Sequence, residues 1–217
     1  ASNLFVLGNY AYIASYFSDA LEIVDITNKA TPVHAGVIEN GDGGAMLDGA
    51  YSVFVSGDYA YVASVNSNAL EIIDVTDKAA PVHFGVIEDD DDGALLNQAW
   101  SVFVSGDYAY VASYESGALE IVDVTDKSAP VHAGSILDGD GVALLRYPYG
   151  VFVSGNYAYV TSDGDNALEI VDITNKAAPV HMGKIVDGAG GANLSGPQGI
   201  FVSGNYAYVT AASGNAL

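Results

Sequence analysis

The stretch Tyr51-Ser52-Val53-Phe54-Val55-Ser56-Gly57-Asp58-Tyr59-Ala60-Tyr61-Val62-Ala63-Ser64 recurs in near-copies down the chain, with its glycine at 8, 57, 106, 155 and 204, a spacing of 49 residues each time. A fixed period of this length is the mark of a repeat architecture and forbids a domain boundary between copies. The same period carries Asp25, Asp74, Asp123 and Asp172, then Pro32, Pro81, Pro130 and Pro179, then His34, His83, His132 and His181. Positions held constant between copies serve the scaffold. Positions that vary are where a particular function is to be sought.

Within one period, Ser52 to Ser56 is a short β-branched and aromatic run, Gly57-Asp58 is a hairpin turn, and Tyr59 to Ser64 is a second run. These are strands a and b. Ala69 to Val75 reads as strand c and Pro81 to Ile87 as strand d, with proline tolerated at a strand start because it has no N–H to give to a ladder. Residues 88 to 99 form an acidic, glycine-containing return to the next strand a. Four short antiparallel strands in ~40–50 residues make the blade of a β-propeller. Val53-Phe54-Val55 and Ile72-Ile73 are apolar on both faces, as expected of a sheet sandwiched between neighbouring sheets. The fold class is therefore all-β, a β-propeller. The chain is one domain or an excised part of one, with blades at about 4–48, 52–97, 101–146 and 150–195 and part of a fifth at 199–217.

The motifs Gly8-Asn9-Tyr10-Ala11-Tyr12 and Leu21-Glu22-Ile23-Val24-Asp25, followed by Ile26-Thr27 and Pro32, resemble those of the LVIVD-repeat family of propeller-like proteins. The resemblance covers the whole chain. It implies a bacterial or archaeal surface or secreted β-propeller and brings no catalytic residues with it. The chain departs from the family's pattern in its longer, acidic d-to-a connections.

Charge narrows the partners. Twenty-seven acids stand against six bases, a formal net charge of -21, whereas nucleic-acid binding needs Lys and Arg to neutralise phosphates. The same charge is repelled by an acidic membrane, and no apolar run of the ~18 residues needed to cross a bilayer is present. The acidity points to an extracellular or cell-surface setting. Cysteine is absent, which removes disulfide and thiol chemistry without deciding the compartment. The chain opens at Ala1 without a leader, and Ser213-Gly214-Asn215-Ala216-Leu217 stops where earlier copies continue into Glu-Ile-Val-Asp, so excision from a longer protein is the first expectation. The two others are that the spare a-b hairpin completes a four-bladed ring, or that strands of another copy fill the open half blade.

The four histidines do not make a metal site. Their equivalents on strand d lie about three steps of ~4.8 Å outside the inner strand and roughly 20 Å apart, whereas one metal holds its ligands at ~2 Å. Each is expected to bond to a neighbouring turn or strand. Asp25 and its equivalents are expected to accept from N–H groups two residues on, as Asx-turns. The lysines at 29, 78, 127 and 176 are expected to offset that charge, and the tyrosine pairs to pack between blades.

Two variable regions carry the functional candidates. The d-to-a connections hold Asp42, Asp89, Asp90, Asp91, Asp92, Asp138 and Asp140, with glycines between several of them, and resemble oxygen-rich loops that take Ca²⁺. The plain alternative is a solvated acidic turn. The starts of the inner strands place Tyr51, Trp100, Tyr149 and Gln198 at equivalent positions, with Asp48, Asn97, Arg146 and Ser195 just before them. Around a channel mouth these suit a glycan, a peptide or another small ligand, or they simply cap the blade edges. No Gly-x-Ser-x-Gly elbow, His-Glu-x-x-His or phosphate loop is found. The expectation is a non-enzymatic surface interaction or assembly module, whose partner is a protein or glycan at the cell surface, or a second copy through the incomplete fifth blade. A ligand-binding propeller is the first alternative and a carbohydrate-active enzyme the second.

Overall fold

A computed structural model describes residues 1–212, so the expectation resting on Ser213 to Leu217 lies outside the described residues. The first blade is β1 (Asn3–Leu7), β2 (Tyr10–Ser15), β3 (Ala20–Asp25) and β4 (Val33–Glu39). The second is β5 (Ala50–Ser56), β6 (Tyr59–Ser64), β7 (Ala69–Asp74) and β8 (Val82–Glu88). The third is β9 (Ala99–Ser105), β10 (Tyr108–Ser113), β11 (Ala118–Asp123) and β12 (Val131–Leu137). The fourth is β13 (Pro148–Ser154), β14 (Tyr157–Ser162), β15 (Ala167–Asp172) and β16 (Val180–Val186), and a final hairpin pairs β17 (Pro197–Ser203) with β18 (Tyr206–Ala211). Each blade is an antiparallel meander in chain order, with the first strand innermost.

The periodic sequence builds this directly. Both faces of β6 and β7 are buried, because the strand interior alternates between the interface with the preceding blade and that with the following one. Between the first two blades, Tyr12, Leu21, Ile23 and Ile38 meet Val53, Val55, Val62 and Ile73. The next two interfaces repeat that cluster one and two periods on. At each interface the turn between the third and fourth strands of one blade seats against the fourth strand of the blade before. There Gly36, Gly85 and Gly134 leave no room for a side chain, since a Cβ would overlap the carbonyl of Lys78, Lys127 or Lys176. At Gly183 the same space is open.

The lysines do more than offset the aspartates. Lys78, Lys127 and Lys176 reach across the interface and sit 5.9, 5.5 and 5.6 Å from the ring centres of Tyr10, Tyr59 and Tyr108. The Asx-turns form as expected, with Asp74 Oδ1 accepting from Thr76 N at 2.8 Å, and the Thr76 hydroxyl together with that N–H holds the Asp74 carboxyl below the usual range.

The four-bladed closure fails, because blade one already owns four strands and β17–β18 stands as a separate two-stranded sheet next to blade four. Among the described residues no further strand covers the outer face of blade one or extends the last hairpin. Leu4 and Val6 are 60% and 51% exposed, whereas their equivalents Val53 and Val55 are each 3% exposed. At the far end Tyr208 is 58% exposed against 1% for Tyr12, Tyr61 and Tyr110.

Candidate functional site

All five innermost strands turn toward one axial cavity of about 420 Å³. Two aromatic layers line it. In the lower layer Phe5, Phe54, Phe103 and Phe152 follow one another at 4.7 Å between ring centres, and Phe201 ends the row at 5.5 Å. The upper layer contains the expected mouth residues. Trp100 lies 4.4 Å from Tyr51 and 4.8 Å from Tyr149, and the hydroxyls of Tyr51 and Tyr149 are hydrogen-bonded to each other. Burial and that bond push the Tyr149 phenol well up. Trp100 Nε1 is buried without a hydrogen-bond partner among the described residues. Gln198 lines the cavity, but Arg146 does not. Its guanidinium turns outward to Gly164 O and to Asp165, 3.6 Å away.

Between the layers a hydroxyl ties neighbouring inner strands together, and the chain supplies it in two ways. Ser52 and Ser101 accept from Val102 N and Val151 N at 3.3 Å. In blade four the inner residue is Gly150, and Thr161 on the second strand takes over, donating to Gln198 O at 2.7 Å and accepting from Gly150 N at 2.9 Å. Thr161 is fully buried, so Thr161→Ala should cost about 1–2 kcal/mol in chemical unfolding, through two unpaired backbone groups.

The acidic connections have a local role. Each carries a short 3-10 turn, at Asp42–Gly44, Asp91–Gly93, Asp140–Val142 and Ala189–Gly191. Asp42, Asp91 and Asp140 accept from the backbone N–H three residues earlier, at 3.0, 3.0 and 3.1 Å. Asp89 and Asp138 accept from Leu96 N and Leu145 N, where Asn40 serves Leu47 N in the first blade. Asp90 and Asp92 sit in the left-handed region, at φ 71° and 48°. The calcium expectation at these seven aspartates rests on the sequence alone: among the described residues no three His, Cys, Asp or Glu side chains converge in a group that could hold a cation. Asparagine replaces aspartate at position 40 because the job is to accept an N–H, which needs no charge.

The histidines have a partner that sequence reading missed. His83, His132 and His181 each bond through Nδ1 to a fully buried glutamate on the adjacent strand, Glu71, Glu120 and Glu169, at 2.6 Å in the first two pairs. The second carboxyl oxygen accepts from Met46 N, Leu95 N or Leu144 N in the linker that enters the same blade. In blade one the side chains of Glu22 and His34 are 31% and 61% exposed. Burial raises all three interior carboxyls, that of Glu120 to about 7, against the opposing pull of its histidine. The signal was a lone acid inside an otherwise apolar strand, twelve residues before the only constant histidine.

Aromatic residues in the turns were also missed. Tyr16 lies 6.3 Å from Tyr51 and carries Phe17 beside it at 5.2 Å, while Tyr114 sits 5.6 Å from Trp100 and stacks on Tyr147 at 4.7 Å and 16°.

A model of the LVIVD repeat matches the chain five times, at residues 1–39, 49–88, 97–138, 146–187 and 197–217. No curated protein sequence matches it. Among solved structures, a functionally unknown protein from Desulfotomaculum acetoxidans is similar at a TM-score of 0.72 and 15% identity, over 97% of this chain and 62% of that one. The periplasmic gluconolactonase of Pseudomonas aeruginosa is similar at 0.72 and 11% identity, over 97% and 56%. The computationally designed Ika8 protein is similar at 0.66 and 10% identity, over 96% and 54%. The chain thus spans 54–62% of the length of these three structures.

Proposed function

The chain belongs to the LVIVD-repeat family, and from that premise we propose that it is a non-enzymatic interaction or assembly module, acting outside the cell or at its surface. The observation that carries this is the pair of apolar faces exposed, among the described residues, at the two ends of the array. The face of blade one that bears Leu4, Val6, Ile13 and Val24 repeats the face that every later blade presses onto its predecessor. At the other end Ile185 is 40% exposed where Ile38, Ile87 and Ile136 are 2% exposed, and Gly183 has nothing against it. One end is the complement of the other by the symmetry of the repeat, which favours a head-to-tail contact with blades of the same kind. Apolar faces of this sort in an otherwise acidic chain mark contact surfaces.

Gluconolactonase belongs to the name of a neighbour at 11% identity, a level that speaks to fold alone. The buried Glu–His pairs lie between blades and do not line the axial cavity, so the reading stays with binding. Light scattering on the eluting protein tests it. The chain should weigh more than its 22.4 kDa as concentration rises, and Leu4→Asp with Val6→Asp should return it to monomer, because an apolar contact rejects two unpaired carboxylates. A single species of monomer mass at every concentration would overturn the reading.

A further inference from the structure

The repeat makes departures from itself visible, and on one face of the molecule they share a direction. The position filled by Val65 and Asp163 in two blades is Tyr16 and Tyr114 in the others, and the inner-strand starts carry Tyr51 and Trp100. Tyr147 is the most telling of them. Its equivalents are Gly49, Gln98 and Gly196, all in the left-handed region, and Tyr147 is held there too at φ 57°. A bulky residue in that conformation is strained by about 1–2 kcal/mol. Gly49, Gln98 and Gly196 each have their N–H held by a side chain, that of Asp19, Asn68 or Asn166, and the corresponding residue for Tyr147 is Gly117, which has none. The local scaffold has thus been weakened twice to put a phenol ring on Tyr114, where it remains 40% exposed. Phe17, at the other end of the row, is 93% exposed.

The row runs Phe17, Tyr16, Tyr51, Trp100, Tyr114, Tyr147, each ring 4.4–6.3 Å from the next, and draws on all four blades: the turns after β2 and β10, the inner strands β5 and β9, and the entry to β13. Carboxylates and amides flank it: Asp48 and Asn66, bonded to each other at 2.9 Å, with Glu115, whose N–H donates to Asn97 O, and Asp163, whose N–H donates to Tyr147 O, further along. Anionic ligands are repelled by such a rim. A compact cation would be met by an aromatic cage closing round one point, whereas these rings form an extended strip. We infer that the strip is a binding platform for an uncharged oligosaccharide, whose successive rings lay their apolar faces on the aromatic side chains and whose hydroxyls reach the flanking carboxylates and amides. The strip starts at the turn between β2 and β3 of blade one, whereas the assembly reading uses that blade's exposed sheet face at Leu4 and Val6.

Trp100 is the sole tryptophan, so its fluorescence reports on the strip without labelling. Titration with cello-, xylo-, manno- and chitohexaose should give a saturable change with at least one of them. Tyr147→Gly should weaken that binding roughly tenfold, the value of one lost stacked ring, while the melting temperature holds or rises because glycine suits the left-handed backbone. Three results would overturn the inference: no saturable response to any of the four sugars, affinity unchanged in Tyr147→Gly, or saturable binding of tetramethylammonium and oligolysine with the sugars silent. Val6→Asp alone, on the exposed face of blade one and outside the axial cavity, should weaken assembly and leave sugar binding normal, so loss of assembly and loss of binding are separable.

Discussion

Gly134→Ala should lower stability by about 3 kcal/mol or more, because the added methyl group falls inside the carbonyl of Lys176 and a whole interface must shift to admit it. For a chain of this size that is a fall of roughly 6–12 °C in melting temperature. The same substitution at Gly183, one period later, should change it by less than ~0.5 kcal/mol, since nothing there meets the new atom. Two chemically identical changes at equivalent positions thus separate by an amount set only by whether a following blade is seated. Equal effects at the two sites would mean that the third interface is not packed as described. In repeat proteins the loss can appear as uncoupling of neighbouring blades, so the measurement is best read with probes in more than one blade.

The second large effect is expected at Glu120. Glu120→Ala strands the His132 ring and the Leu95 N–H in a buried interface and should cost about 3 kcal/mol. Glu22→Ala removes the same residue from the exposed first blade and should cost no more than ~1 kcal/mol. The pH dependence follows from the sign of the shift. Burial lifts the Glu120 carboxyl from 4.5 to about 7, so between those values the folded chain holds a proton that the unfolded chain has released. Stability must then fall as pH rises through that window, and is fully present below it. Glu71 and Glu169 add to the same trend. The Asp74 and Asp172 carboxyls are depressed and act the other way, losing their contribution as pH drops through the acid range, so a stability maximum is expected just above it. Glu120→Gln should flatten the decline in melting temperature between about pH 5 and pH 7. An unchanged slope would place the titration elsewhere.

Much of the fold could be read from the chain because a repeat states its scaffold several times over. The Gly-Asp and Gly-Asn hairpin turns, the Asp-x-Thr turn after each third strand and the doubly apolar strands each had one physical explanation, and the structure returns strands within one or two residues of those boundaries for the second blade. What escaped depended on register between strands or between blades. Glu71 and His83 are twelve residues apart and meet only because β7 and β8 pair as they do. Gly85 looks like an ordinary strand glycine until Lys127 of the next blade is placed against it. The aspartates of the connections were ambiguous for a chemical reason: a carboxylate that accepts backbone N–H groups and one that ligates calcium leave the same mark in sequence. The mouth residues Tyr51, Trp100 and Tyr149 were found by their place on the innermost strand, whereas Tyr16, Phe17, Tyr114 and Tyr147 stand in turns whose approach to the axis no periodicity reveals. The direction of the Arg146 side chain, toward Asp165, was likewise not legible from its place in the repeat.

The claim on which the rest depends is that each blade is held by its successor, so that the last described hairpin, with Tyr208 58% exposed, lacks that support within this chain. Amide hydrogen exchange, read strand by strand, tests this directly. Amides of β10 and β11, enclosed on both sides, should exchange only with global unfolding, while those of β18 should exchange at least ~100-fold faster through local opening. Protection of β18 equal to that of β10 in the isolated monomeric chain would contradict it.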